Sequence, residues 1–208
     1  MKKLFLLIAI AASGLTAGAQ SLEWGVHAGL NLANERVAVD GASISTDSHA
    51  QFQAGFSLAA RMSRNLPIYL QTGLDFTGRG GESQGASDNL YYLQLPVTAS
   101  YYVNIGRIVS IRPYAGIYYC LGLFSNTKID GKAQEIDGSK FDFFSEYDGE
   151  QGYKRSDFGL RFGADVVLAK HYSVGLGYDL GLMNINKDMF DAGKIRNRVF
   201  YLRLGYNF

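Results

Sequence analysis

Residues 199–208 read Val199-Phe200-Tyr201-Leu202-Arg203-Leu204-Gly205-Tyr206-Asn207-Phe208, and this stretch decides the fold. Phe200, Leu202, Leu204, Tyr206 and Phe208 share one face of an extended chain. Val199, Tyr201, Arg203, Gly205 and Asn207 share the other. A helix would scatter both sets around its circumference, whereas a strand separates them completely.

Working back through the chain, the same two-residue period recurs. Apolar residues at 172–182 alternate with Ser173, Gly175, Gly177, Asp179 and Gly181, and those at 158–168 alternate with Asp157, Gly159, Arg161, Gly163 and Asp165. Similar alternation runs through 24–31, 52–61, 68–76, 92–103 and 111–123, which makes eight candidate strands. Their lengths are close to or above the roughly 9–11 tilted residues that a membrane strand requires. The connections at 33–50, 80–88, 126–153 and 185–195 are long and polar, and those at 63–66, 104–107 and 169–171 are short. Long and short alternate strictly, as they do in barrels with long extracellular loops and short periplasmic turns.

The more polar face carries Arg61, Asp75, Arg112, Arg161, Asp165, Asp179 and Arg203 near mid-strand. An Arg or Lys facing lipid near the bilayer midplane costs about 2–4 kcal/mol. These groups therefore point inward, where acids and bases pair, and the apolar face meets lipid. The expected fold is all-β: an eight-stranded antiparallel transmembrane β-barrel. A soluble eight-stranded barrel of inverted polarity would expose glycine-rich strands to water and enclose only bulky side chains.

Composition and termini fit this picture. Gly is frequent at 25 of 208 residues, Pro is scarce at 3, and aromatics make up 13%. The net charge of +1 argues against a nucleic-acid partner, which needs a concentrated basic face. A lone Cys120 precludes an internal disulfide framework. Lys2 and Lys3, the apolar run 4–12 and Ala17-Gly18-Ala19 have the layout of a signal peptide. Residues 1–19 are thus expected to be removed on export, leaving 20–208 as a single barrel domain in the outer membrane.

Four motifs resemble the PorT-like outer-membrane β-barrel proteins of Bacteroidota. Tyr92-Leu93-Gln94-Leu95-Pro96-Val97 is similar to that family's Tyr-Leu-Glu-Ile-Pro-Leu, and Arg112-Pro113-Tyr114-Ala115-Gly116 to its Arg-Pro-Tyr-x-Gly. Asp157-Phe158-Gly159 with Gly163-Ala164, and Leu204-Gly205-Tyr206-Asn207-Phe208, resemble its sixth and last strands. The resemblance implies an outer-membrane barrel, and some relatives are associated with protein secretion or gliding. Gln94 stands where Glu is common, so no carboxylate role carries over at that position. The shared Pro96 implies a bulge in the fourth strand.

The inward Arg and Asp set is expected to form a salt-bridged plug, since eight strands enclose only enough space for side chains. His27 has inward parity and is expected to add polarity to that plug. His49 follows Asp47 and Ser48, but successive residues of an extended chain point apart and cannot form a relay unaided. The 126–153 loop is rich in Asp, Glu and Lys without the ordered spacing of a calcium loop. Its aromatics Phe141, Phe143, Phe144 and Tyr147 are candidates for contact with a partner. Cys120 is expected to be a buried, inert thiol.

The functional expectation is a monomeric, non-enzymatic barrel without a cofactor. Its extracellular loops would contact the envelope or a partner, with outer-membrane lipid and lipopolysaccharide around it. An accessory role in secretion or assembly is the alternative, ahead of a narrow channel or a lipid-modifying enzyme.

Overall fold

Alternation dictates pairing: strands whose odd and even residues differ in polarity must align parity with parity to keep one face apolar. The computed structural model describes residues 21–208 apart from 40–41, 84, 130–131, 134, 137–138, 141, 148–149 and 188–192. The leader at 1–19 therefore lies outside the described residues. Eight long strands carry the fold: β1 (Leu22–Val39), β2 (His49–Arg61), β3 (Ile68–Arg79), β4 (Ala86–Tyr101), β5 (Val109–Ile129), β6 (Ser156–Leu168), β7 (Tyr172–Gly181) and β8 (Lys194–Asn207). Each pairs antiparallel with its sequence neighbour, and β1 also pairs with β8. The ring is closed.

The register fixes its shape. Leu32 lies opposite Phe200, then Tyr178, Phe162, Ala115, Ala99, Leu70, Ala60 and finally Leu22. One circuit thus returns to β1 ten residues away (32 − 22 = 10). With ~3.3 Å per residue and ~4.8 Å between strands, that stagger tilts the strands by about 40°. About ten residues then cross a ~25 Å apolar band, and β1, with 18 residues, is much longer than that.

The outward face changes character along β1. Leu22, Trp24, Val26, Leu30 and Leu32 are exposed and apolar, and Asn34 and Arg36 follow with the same parity. The upper part of the barrel consequently stands clear of the apolar band. At the opposite end, Trp24 stacks on Phe208 with centroids 3.9 Å apart, and Tyr172 and Tyr206 meet edge to face. This aromatic rim sits beside the short turns, as an interfacial belt does. The β6–β7 turn places Ala169 and Lys170 at φ of 50° and 67°, a left-handed pair usually supplied by Asn-Gly.

Two expectations are corrected here. The register shift of β4 against β5 falls between Tyr91 and Tyr92, not at Pro96. At Pro96, which has no N–H, the ladder to β3 merely lapses and resumes in the same register, with Thr72 opposite Val97 and Asp75 opposite Gln94. The third strand also runs on to Arg79, three residues beyond its apolar pattern, because Thr77 and Arg79 keep the inward parity and lie buried.

Candidate functional site: the charged lumen and its aromatic cap

Inward residues from opposite walls meet at the centre of the barrel. Arg79 on β3 donates to Asp179 on β7, diametrically across the ring, at 2.9 Å, and to Asp157 on β6 at 3.2 Å. It also donates to Gln94 Oε1 at 2.7 Å and to the Tyr118 hydroxyl at 3.1 Å, with its guanidinium 4.5 Å from that ring's centroid. Arg161 holds Asp179 through two bonds of 2.7 and 2.9 Å and reaches across to Asp75 at 3.0 Å. His27 Nε2 lies 3.0 Å from the other Asp75 oxygen. Nearer the short turns, Asp165 sits between Arg112 at 2.9 Å and Arg203 at 3.0 Å.

Four arginines and four aspartates thus form a neutral lattice across the lumen, and every one of these aspartates is at most 1% exposed. Isolated ions in such a place would cost several kcal/mol each, so pairing is what permits them there. Space for the long side chains comes from inward glycines: a Cβ on Gly177 would collide with the Tyr201 ring. A cavity of about 40 Å³ lies against the lattice, lined in part by Asp75, Arg112, Arg161 and Arg203, with room for ordered water. At this level paired side chains from opposite walls span the lumen.

The structure brings together Asp75, Arg112, Arg161, Asp165, Asp179 and Arg203 from the expected set. Arg61 is not among them. It lines a vestibule of about 530 Å³ at the short-turn end, where its Nη2 donates to the Arg64 carbonyl at 3.3 Å. Arg79 and Asp157 complete the lattice and were absent from the candidate set. Asp157 shares the inward face of Gly159 and Arg161 in the sequence pattern, and parity alone could have found Arg79, which continues the series 75, 77, 79.

Above the lattice lies a second closure. Phe143 and Phe144 are 6% and 1% exposed, so they are turned into the barrel mouth instead of being offered to a partner. Asp142 Oδ1 accepts from the Ser125 backbone N–H at 2.9 Å and from its hydroxyl at 2.8 Å, which pins the segment to β5. Phe144 seats its ring over Gly122, where a Cβ would lie 2.7 Å from Cζ, and meets Tyr92 edge to face. Phe143 stacks on Tyr153 at 4.6 Å. Leu90, Tyr118, Cys120, Ile185 and Ile195 complete this apolar cap. Loops expose aromatics only when nothing covers them, and here the barrel's own mouth does. Phe141 lies outside the described residues, as does the Tyr147 side chain.

Glu35 stands at the side of the cap, above the apolar band, and Tyr153 donates its hydroxyl to it at 3.3 Å. Burial, with the Asp88 carboxylate as a second cause, pushes Glu35 up to about 8 from 4.5, against the lowering effect of the Tyr153 hydrogen bond. His49 approaches Glu82 at 3.3 Å and Asn89 at 3.1 Å, not the adjacent Asp47 and Ser48.

Comparison with known proteins agrees with this architecture. No curated protein sequence matches the chain. Among solved structures, Neisserial surface protein A is similar over 92% of this chain and 99% of its own, with 15% identity and a TM-score of 0.52. Ail, the attachment invasion locus protein of Yersinia pestis, shares 16% identity over 89% of this chain and 98% of its own, with a TM-score of 0.43. The outer membrane enzyme PagL shares 14% over 84% and 97%, with a TM-score of 0.42. At these identities the likeness to Neisserial surface protein A is one of fold. The family described as "Outer membrane protein beta-barrel domain" matches residues 5–208, and with the closed ring and outward apolar band this makes the chain a member of that outer-membrane β-barrel family.

Proposed function

We propose that this protein is a sealed, non-enzymatic outer-membrane barrel that acts through the part standing outside the membrane, by contact with envelope components or partner proteins. The observation that carries this reading is the double closure of the lumen, by the Arg–Asp lattice and by the Phe143–Phe144–Tyr153 cap. A barrel closed twice offers no path for a solute, so function moves to its surface. The extracellular rim offers such a surface: the short strand Ala42–Ser45, paired to β1, is exposed throughout, and Ile44 is 74% exposed. Export through a leader cut after Ala19 delivers the chain to that location.

The motifs at 92–97 and 112–116 support placement among PorT-like proteins of Bacteroidota. An accessory role in secretion is the second reading, with the 530 Å³ periplasmic vestibule as the surface it would use.

Planar-bilayer recording of the purified full-length protein tests the seal. The expected trace lacks unitary conductance, and a stable open level would overturn the reading. Photo-crosslinkers at Ile44 and at Arg107 then separate the two roles. Capture from position 44 supports the extracellular reading, and capture from 107 alone supports the periplasmic one.

A further inference from the structure

Outward parity on β1 and β8 continues past the apolar band and becomes basic. Leu32 lies opposite Phe200, both exposed, and the next outward rows pair Asn34 with Arg198, Arg36 with Arg196 and Ala38 with Lys194. Four cations on two neighbouring strands therefore occupy three successive rows just above the last lipid-facing pair. At ~3.3 Å per residue and a tilt of about 40°, each row rises about 5 Å. Arg198 and Arg196 thus stand about 5 and 10 Å beyond the hydrocarbon edge, the level of outer-leaflet headgroups.

Two features set this patch apart from the lumenal arginines among the described residues. None of Arg36, Lys194, Arg196 and Arg198 has a carboxylate within 4.0 Å among the described residues, in contrast to the lumenal arginines. Arg36 and Arg196 are also direct cross-strand partners, an arrangement that repels unless an anion lies between them. Arg36 Nη2 donates to the Ser43 hydroxyl at 2.7 Å, which draws a neutral donor to the edge of the same patch. Guanidinium forks are suited to phosphate oxygens.

We propose that this face of β1 and β8 is a binding site for the phosphate groups of outer-leaflet lipid, those of the lipid A class, docked against the apolar band below. The site is independent of whether the lumen conducts. Acyl chains lie along Leu30, Leu32, Phe200 and Leu202, and the phosphates meet Arg198, Arg36 and Arg196 in ascending order. The protein then has a preferred lipid neighbour on one side of its circumference.

The test titrates phosphorylated lipid A into the full-length protein in neutral detergent. Each cation removed is expected to weaken binding about fivefold, and Arg36→Gln, Arg196→Gln and Arg198→Gln together about a hundredfold. The corresponding Lys variants should retain most of the affinity. Arg107→Gln with Lys170→Gln, at the periplasmic end, should leave it unchanged. Gel migration of unboiled samples shows that each variant is folded. Equal affinity of the triple Gln variant, equal binding of dephosphorylated lipid A, or full competition by millimolar inorganic phosphate would each overturn the proposal.

Discussion

Replacing Arg79 by Met removes the one cation bound to Asp157 among the described residues while keeping most of the side-chain volume. Asp179 keeps two bonds from Arg161 at 2.7 and 2.9 Å and one from Gln94 at 3.1 Å. Asp157 keeps the Asn197 amide at 3.1 Å and the Phe158 backbone N–H, but no cation among the described residues. Leaving a buried charge uncompensated costs about 3–5 kcal/mol, and Asp157 at 0% exposure cannot recover hydration. Asp157→Asn in the same chain removes that charge. The double variant should then be about 1–2 kcal/mol less stable than the parent, which recovers about 2–3 kcal/mol of the loss in Arg79→Met alone. Urea titration in lipid vesicles, followed by the fluorescence of Trp24, measures both. Trp24 is the only tryptophan in the chain and is stacked on Phe208 at the far end. A loss below about 1 kcal/mol for Arg79→Met, or a double variant as unstable as the single, would refute the claim that the lattice exists to neutralise charge.

Two further perturbations address the cap. Gly122→Leu drives a side chain into the seat of the Phe144 ring, so residues 142–146 should become cleavable by added protease while the barrel still migrates as folded. Unchanged protection would mean that Phe144 does not hold the cap. Glu35→Gln reads the cap by pH. Glu35 is raised from 4.5 to about 8, so between those values the folded protein holds a proton that the unfolded chain has released. Stability therefore falls as pH rises through that window and levels off above it. The Gln variant should match the parent near pH 4.5 and show about tenfold or more slower cap proteolysis at pH 8. Identical pH profiles would remove Glu35 from the cap's energetics.

The sequence was most informative where physics is local. Strand parity, the count of eight and the sense of the lumen follow from one rule, that charge at Arg161, Asp165 or Arg203 cannot face lipid. The rule failed at strand ends. The apolar face of β3 stops at Phe76 and the connection begins at residue 80, so Arg79 lies outside both, although its own face continues inward. It failed again at Arg61, whose parity is inward but whose height places it in the vestibule, beside solvent. Parity gives direction, whereas height requires the stagger between strands.

Residues 22–208 alone thus determined a closed, inside-out barrel, because a two-residue period and the cost of a charge in lipid leave no other arrangement. Only the tertiary structure decided which charges meet. Arg79 reaches Asp179 from 100 residues away, and Arg161 reaches Asp75 from 86. Those pairs depend on a ten-residue stagger that no single strand encodes. The fate of Phe143 and Phe144 was likewise tertiary, since exposed loop and buried cap share one local sequence and differ in whether a glycine notch lies opposite.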